Sequence, residues 1–73
     1  MAEQPDDLKK LVAVATDLGL SAELRIKAIK LIGNIGTHDA LLALLDLVAN
    51  ERLTKGEREL AIKLTSAIVK SEY

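Results

Sequence analysis

The sequence predicts an all-α fold in which four helices form two antiparallel helical hairpins that stack on each other. The chain aligns with itself without a gap when it is shifted by 33 residues. In each half, apolar residues recur at the i, i+3, i+4, i+7 spacing of a helix face, and the linkers are short enough to make neighbouring helices antiparallel. A repeat of this length is typical of units that bury their apolar faces only by stacking. A closed four-helix bundle is the alternative.

The internal repeat relates residues 8–36 to residues 41–69 through nine identical pairs. These are Leu8/Leu41, Leu11/Leu44, Leu20/Leu53, Arg25/Arg58, Ala28/Ala61, Ile29/Ile62, Lys30/Lys63, Leu31/Leu64 and Ile35/Ile68. Because a translation along the chain relates the copies, both units should have the same orientation. We therefore predict a single domain over 1–73, with one unit at about 6–36, the other at about 39–70, and a right-handed superhelical path.

The first hairpin is predicted from its apolar spacing and its terminal residues. Its first helix should run from about Asp6 to Leu18 and end at Gly19, since glycine adopts the left-handed conformation at low cost. Its second helix should begin after Ser21, a favoured N-cap, and end at Gly36. The predicted core face of this helix consists of Leu24, Ala28, Leu31, Ile32 and Ile35.

The second hairpin follows the same plan. Thr37 or Asp39 should cap a third helix that reaches about Asn50 and is apolar over more than half of its circumference, which predicts neighbours on several sides. Thr54 and Glu57 have the spacing of a capping box. The fourth helix should then extend to about Lys70, with an inward face of Leu60, Ala61, Leu64, Ala67 and Ile68.

Composition excludes several classes of function. Ten basic and eleven acidic side chains give a formal charge of −1, which argues against nucleic acid as a partner because such binders carry a positive face. The chain has no cysteine, and it lacks the apolar run of a signal peptide or a membrane span. We expect a cytoplasmic protein that does not bind membranes.

Neither a catalytic centre nor a cofactor or metal site is indicated. His38 is the only histidine, and catalysis would require a nucleophile or a second acid–base group beside it. A metal site would require several ligands. The pair His38 and Asp39 is better explained by the chemistry of a helix start. We therefore expect a protein that is not an enzyme.

The segment 24–36, LRIKAIKLIGNIG, resembles the second helix of HEAT-like repeats, especially of the short bilin-lyase-type subclass. Residues 38–45 resemble the first helix of a following repeat, and the second copy departs from the pattern in the way of a terminal repeat. The resemblance implies a helical superhelix fragment. It also implies structural bonds between units, with Arg25 and Arg58 paired to Asp17 and Asn50.

A second apolar stripe exceeds what the predicted core needs. It comprises Ile26, Ile29, Ile62 and Val69, and exposed apolar surface of this kind marks association sites. The leading hypothesis is a noncatalytic protein-interaction or scaffold module that binds another protein through this stripe. Self-association into a homo-oligomer is the second expectation for the same stripe.

Two other functions remain open from the sequence. One is an accessory subunit of a larger enzyme or lyase-type repeat protein. The other is a weak contact with nucleic acid through Lys9, Lys10, Lys27, Lys30 and Lys63.

Overall fold

Four α-helices make up the computed structural model, which describes residues 5–72. They are α1 (Pro5–Ala15), α2 (Ala22–Ile35), α3 (His38–Ala49) and α4 (Lys55–Glu72). The described range contains no strand, so the all-α prediction is confirmed. Residues 1–4 and 73 of the predicted domain lie outside this range.

The helix starts repeat with the period of the sequence, since α3 and α4 begin 33 residues after α1 and α2. Side-chain caps fix the starts of α2 and α3: the Ser21 hydroxyl accepts the amide of Leu24 at 3.3 Å, and the Thr37 hydroxyl accepts that of Ala40 at 3.2 Å. α2 ends at Gly36, whose φ of 67° lies in the left-handed region. This glycine ends the helix as predicted.

The turns inside the two hairpins are built in the same way. Asp17 Oδ1 accepts the amide of Gly19 at 2.9 Å, and its counterpart Asn50 accepts the amide of Arg52 through Oδ1 at 3.0 Å. Such Asx turns reverse the chain without a left-handed residue. α1 accordingly ends at Ala15 and not at the predicted Leu18, and Gly19 does not adopt a positive φ.

Helix packing follows the stacked arrangement. α1 packs on α2, α3 packs on α4, and α2 also packs against both helices of the second hairpin. α1 makes extensive contact with α2 alone, whereas a closed bundle would join its first helix to its last. The structure is therefore an open stack of two hairpins, with α2 at its centre.

The core lies where α2 meets the second hairpin. Its buried members are Ala15, Ala28, Ile29, Ile32, Ala40, Leu41, Leu44, Leu47, Leu53, Ala61 and Ile68. The predicted core face of α2 is partly wrong, because Leu24 and Leu31 are 45% and 50% exposed. Their side of α2 has no neighbouring hairpin, since α3 and α4 pack on the side that carries Arg25 and Ile29.

Candidate interaction surface

A buried ion pair joins the two hairpins. Arg25 Nε donates to Glu57 Oε2 at 2.8 Å, and Arg25 Nη1 donates to the Leu20 carbonyl at 2.7 Å. Arg25 thus bridges the units, but its partner is Glu57; in the described residues neither Arg25 nor Arg58 pairs with Asp17 or Asn50, so the expected set of bonds is wrong. Asp17 and Asn50 accept hydrogen bonds within their own turns instead.

Glu57 also takes part in the hydrogen bonds that cap the start of α4. Its Oε1 accepts the amide of Thr54 at 2.9 Å, and its own amide donates to the Thr54 hydroxyl at 3.2 Å. These two bonds confirm the predicted capping box. Burial by itself would raise the pKa of Glu57, but the Thr54 amide and the Arg25 guanidinium lower it, and the net direction is downward. The carboxylate is therefore held ionised.

Contact between α2 and α4 runs along one stripe of each helix. Arg25, Ile29 and Gly33 are spaced four residues apart, which places them on one face of α2; we call them the forward stripe of α2. Gly33 allows close approach, because a Cβ added there would lie 2.8 Å from Leu64 Cδ2. We call the facing residues Glu57, Ala61 and Leu64 the receiving stripe of α4.

The same forward stripe recurs on α4, where no hairpin covers it. By the repeat it comprises Arg58, Ile62 and Ser66. Ile62 is 48% exposed, whereas its counterpart Ile29 is 0% exposed. Val69, about two turns beyond Ile62 on the same side, is also exposed. No carboxylate in the described part of the chain pairs with Arg58. This side of α4 therefore resembles the buried stripe of α2 in sequence but is exposed in the described part of the chain.

A receiving stripe also recurs on α2. It comprises Leu24, Ala28 and Leu31, the counterparts of Glu57, Ala61 and Leu64. Leu24 and Leu31 are exposed, whereas Ala28 is buried between them. Beside it lies a groove of about 360 Å³, lined by Asp7, Leu11, Leu31, Asn34 and Ile35. The chain therefore presents two different halves of the same helix–helix contact at its two ends.

The predicted partner-binding residues divide between exposed and buried positions. Ile62 and Val69 are exposed, and Ile26 is half-buried. Ile29 is completely buried, so its assignment to an exposed surface is wrong: it lies between Arg25 and Gly33 on the stripe that packs on α4. Sequence reasoning missed Leu24 and Leu31 as surface residues. Helical periodicity alone does not separate them from the buried residues of α2.

The described residues offer no other obvious site. Within residues 5–72, no three His, Cys, Asp or Glu side chains are grouped so that they could hold a metal ion, and His38 is exposed at the start of α3. The five lysines considered for nucleic-acid contact are exposed. In the same range, no helix has the length and apolarity needed to cross a bilayer.

Comparisons with known proteins do not extend this description. Neither models of protein families, nor curated proteins, nor solved structures match this chain.

Proposed function

We propose that the chain is a noncatalytic protein-interaction module of HEAT-like repeat type. Its binding surface is the forward stripe of α4 together with Val69. The observation that carries this proposal is the contrast between Ile29 and Ile62. The same residue at the same position of the repeat is fully buried against a helical hairpin in one unit and half exposed in the other.

Physical chemistry supports binding at this place. Full burial of an isoleucine contributes about 1.5–3 kcal/mol. Ile62 and Val69 are 48% and 40% exposed, so a partner that covers them gains part of this energy from each residue. The stripe lies on a regular helix, so little ordering is needed when a partner binds. A small apolar surface with one arginine at its end favours a modest, reversible affinity.

Site-specific photo-crosslinking tests this proposal in the cells from which the chain derives. We expect p-benzoylphenylalanine at Ile62 or Val69 to form crosslinks to protein on irradiation. The matched control is the same substitution at Leu42, which lies on α3 and is also 48% exposed. Leu42 corresponds to Lys9, and Lys9 is exposed although its unit packs against the second hairpin.

The comparison of positions decides the outcome. Crosslinking at Ile62 and Val69 that exceeds crosslinking at Leu42 supports the proposal, and mass spectrometry then identifies the partner. Equal yields at all three positions, or none at any, contradict it. If the partner is an enzyme subunit, the chain is an accessory component of that enzyme, which is the second function left open by the sequence.

A further inference from the structure

We infer that the partner of the α4 forward stripe is a second copy of this chain, which binds it through the receiving stripe of its own α2. This inference rests on the proposed function, because it names the partner of the same surface. The two copies associate head to tail, with α4 of one chain packed on α2 of the next. This contact has the same geometry as the contact of α2 with α4 inside each chain. The 33-residue repeat then continues from copy to copy.

The residues of the two contacts correspond closely. Within the chain, the forward stripe is Arg–Ile–Gly and the receiving stripe is Glu–Ala–Leu. Between copies, the forward stripe is Arg–Ile–Ser (Arg58, Ile62, Ser66) and the receiving stripe is Leu–Ala–Leu (Leu24, Ala28, Leu31). Four of the six positions are identical. The contact between copies is therefore a continuation of an interface that the structure already contains.

Burial in the first unit also indicates a missing neighbour on its receiving side. Leu8, Leu11, Val14 and Leu20 are only half-buried, whereas their counterparts Leu41, Leu44, Leu47 and Leu53 are buried. The second unit has α2 packed on this side, and the first unit has nothing there among the described residues. A second copy that brings its α4 to Leu24 and Leu31 supplies the equivalent cover.

Two substitutions make the contact between copies weaker than the contact within a chain. Leu24 stands where Glu57 would offer a carboxylate to Arg58. Ser66 stands where Gly33 lets a leucine approach, and a Cβ at Gly33 would lie 2.8 Å from Leu64. The association is therefore weak at micromolar concentration. It is also heterologous, since two different surfaces meet, and such contacts form open chains unless the rotation closes a ring.

Sedimentation velocity on the full chain, at concentrations up to about 1 mM, tests this arrangement. We expect the average mass of the wild type to rise with concentration, and Ile62→Asp or Leu31→Asp to abolish the rise. Leu42→Asp is the matched control and should behave as the wild type. Circular dichroism establishes that each variant is folded, because all three positions are about half exposed in the monomer.

Mixing Ile62→Asp with Leu31→Asp, neither of which should associate by itself, distinguishes head-to-tail association from other arrangements. The Ile62→Asp copy keeps its receiving stripe, and the Leu31→Asp copy keeps its forward stripe. A mixture should therefore form a 1:1 dimer that does not grow further. If Ile62→Asp alone abolishes association and Leu31→Asp has no effect, two forward stripes meet each other, and the inference is overturned.

A second pair of changes should strengthen the contact. Leu24→Glu supplies the carboxylate for Arg58, and Ser66→Gly restores the close approach. Together they should lower the concentration at which half of the chains are associated by about tenfold or more. Adding Arg58→Glu should raise that concentration again. If neither the wild type nor the Leu24→Glu/Ser66→Gly variant associates at about 1 mM, the inference fails. Crosslinking of Ile62 to a different protein would then leave the proposed function standing, whereas no crosslinking at all would overturn both.

Discussion

Each carboxylate oxygen of Glu57 accepts a hydrogen bond from a different part of the fold. Oε1 binds the Thr54 amide at the start of α4, and Oε2 binds Arg25 of the other hairpin. The side chain of Glu57 is 1% exposed and that of Arg25 is 10% exposed. One residue therefore both caps the start of a helix and joins the two units.

The ionisation of Glu57 should make the free energy of unfolding depend on pH. Its pKa in the folded protein lies below the ordinary value of 4.5, so the unfolded chain binds more protons than the folded chain around and below that value. The contribution is fully present above the unfolded pKa and is lost as pH falls through 4.5 toward the folded pKa. Urea unfolding between about pH 7 and about pH 3 measures this loss.

Glu57→Gln is the control for this pH dependence, because it removes the titrating group and leaves all other carboxyl groups in place. The difference in unfolding free energy between the wild type and Glu57→Gln should shrink as the pH is lowered. A difference that stays constant or widens toward acid pH would contradict the assignment.

Removing only one member of the buried pair should be costly. Glu57→Leu leaves the Arg25 guanidinium buried without its partner, and such a loss costs about 3–5 kcal/mol. Arg25→Met in the same background removes the orphaned charge, so the double variant should regain most of that loss. Urea unfolding of the two single variants and the double variant measures the coupling. A double variant that is no more stable than Glu57→Leu would show that the ion pair is not the cause.

At the scale of single residues, one of the two interactions of Glu57 could be predicted from the sequence, namely the capping box and not the ion pair. The capping box was predictable because both of its members lie within four residues of each other. The bond to Arg25 spans 32 positions along the chain. A local pattern cannot show such a bond, and the two acceptors that the family resemblance implied, Asp17 and Asn50, are engaged in their own turns.

At the scale of elements, the spacing between α2 and α4 depends on the missing side chain of Gly33. A Cβ there would lie 2.8 Å and 2.9 Å from the two methyl carbons of Leu64 and 3.1 Å from its Cγ. The whole leucine side chain, and not only its tip, would have to move. Gly56, by contrast, has no atom within 4 Å of an added Cβ.

These two helical glycines should respond to alanine in opposite directions. Gly56→Ala should stabilise the protein by about 0.5–1 kcal/mol, because alanine favours a helix over glycine. Gly33→Ala gains the same helix preference but should lose about 1 kcal/mol overall, because overpacking a close contact costs about 1–3 kcal/mol. Chemical denaturation of both variants measures the contrast.

Leu64→Ala provides the control for the Gly33 contact. In the Leu64→Ala background, the leucine that obstructs the new methyl group is gone, so Gly33→Ala should become neutral or stabilising. If Gly33→Ala destabilises the protein equally in both backgrounds, the contact with Leu64 does not set the helix spacing.

The helices themselves were predictable, but the side of α2 that is buried was not. Caps and glycines lie near the helix ends in sequence, which is why the bounds of α2 and α3 agree closely with the prediction. α2, however, carries two apolar stripes, one through Leu24 and Leu31 and one through Ile29. Helical periodicity treats them alike. Which stripe is covered depends on where the second hairpin stacks, and that is a property of the whole molecule.

At the scale of the whole molecule, neither hairpin holds a complete core. α2 is covered by α1 on one side and by α3 and α4 on another. The buried cluster joins residues from both units, with Ile29 and Ile32 from the first and Leu44 and Leu47 from the second. In a stacked array of this kind, stability comes largely from the interfaces between units.

Cutting the chain between Gly36 and Thr37 should therefore separate it into two pieces that do not fold alone. We expect fragments 1–36 and 37–73 each to show little helical circular dichroism and no cooperative thermal transition, because short helices are marginal in water without tertiary contacts. An equimolar mixture should regain helicity, since the ion pair of Arg25 with Glu57 and the contact of Ile29 with the second unit can reform between fragments. Ile29→Asp in the first fragment should prevent this recovery, because Ile29 is completely buried. Leu31→Asp, at a half-exposed position, should permit it. A cooperative transition in either fragment alone would show that one hairpin suffices for folding and would contradict the stacked-unit account of this chain.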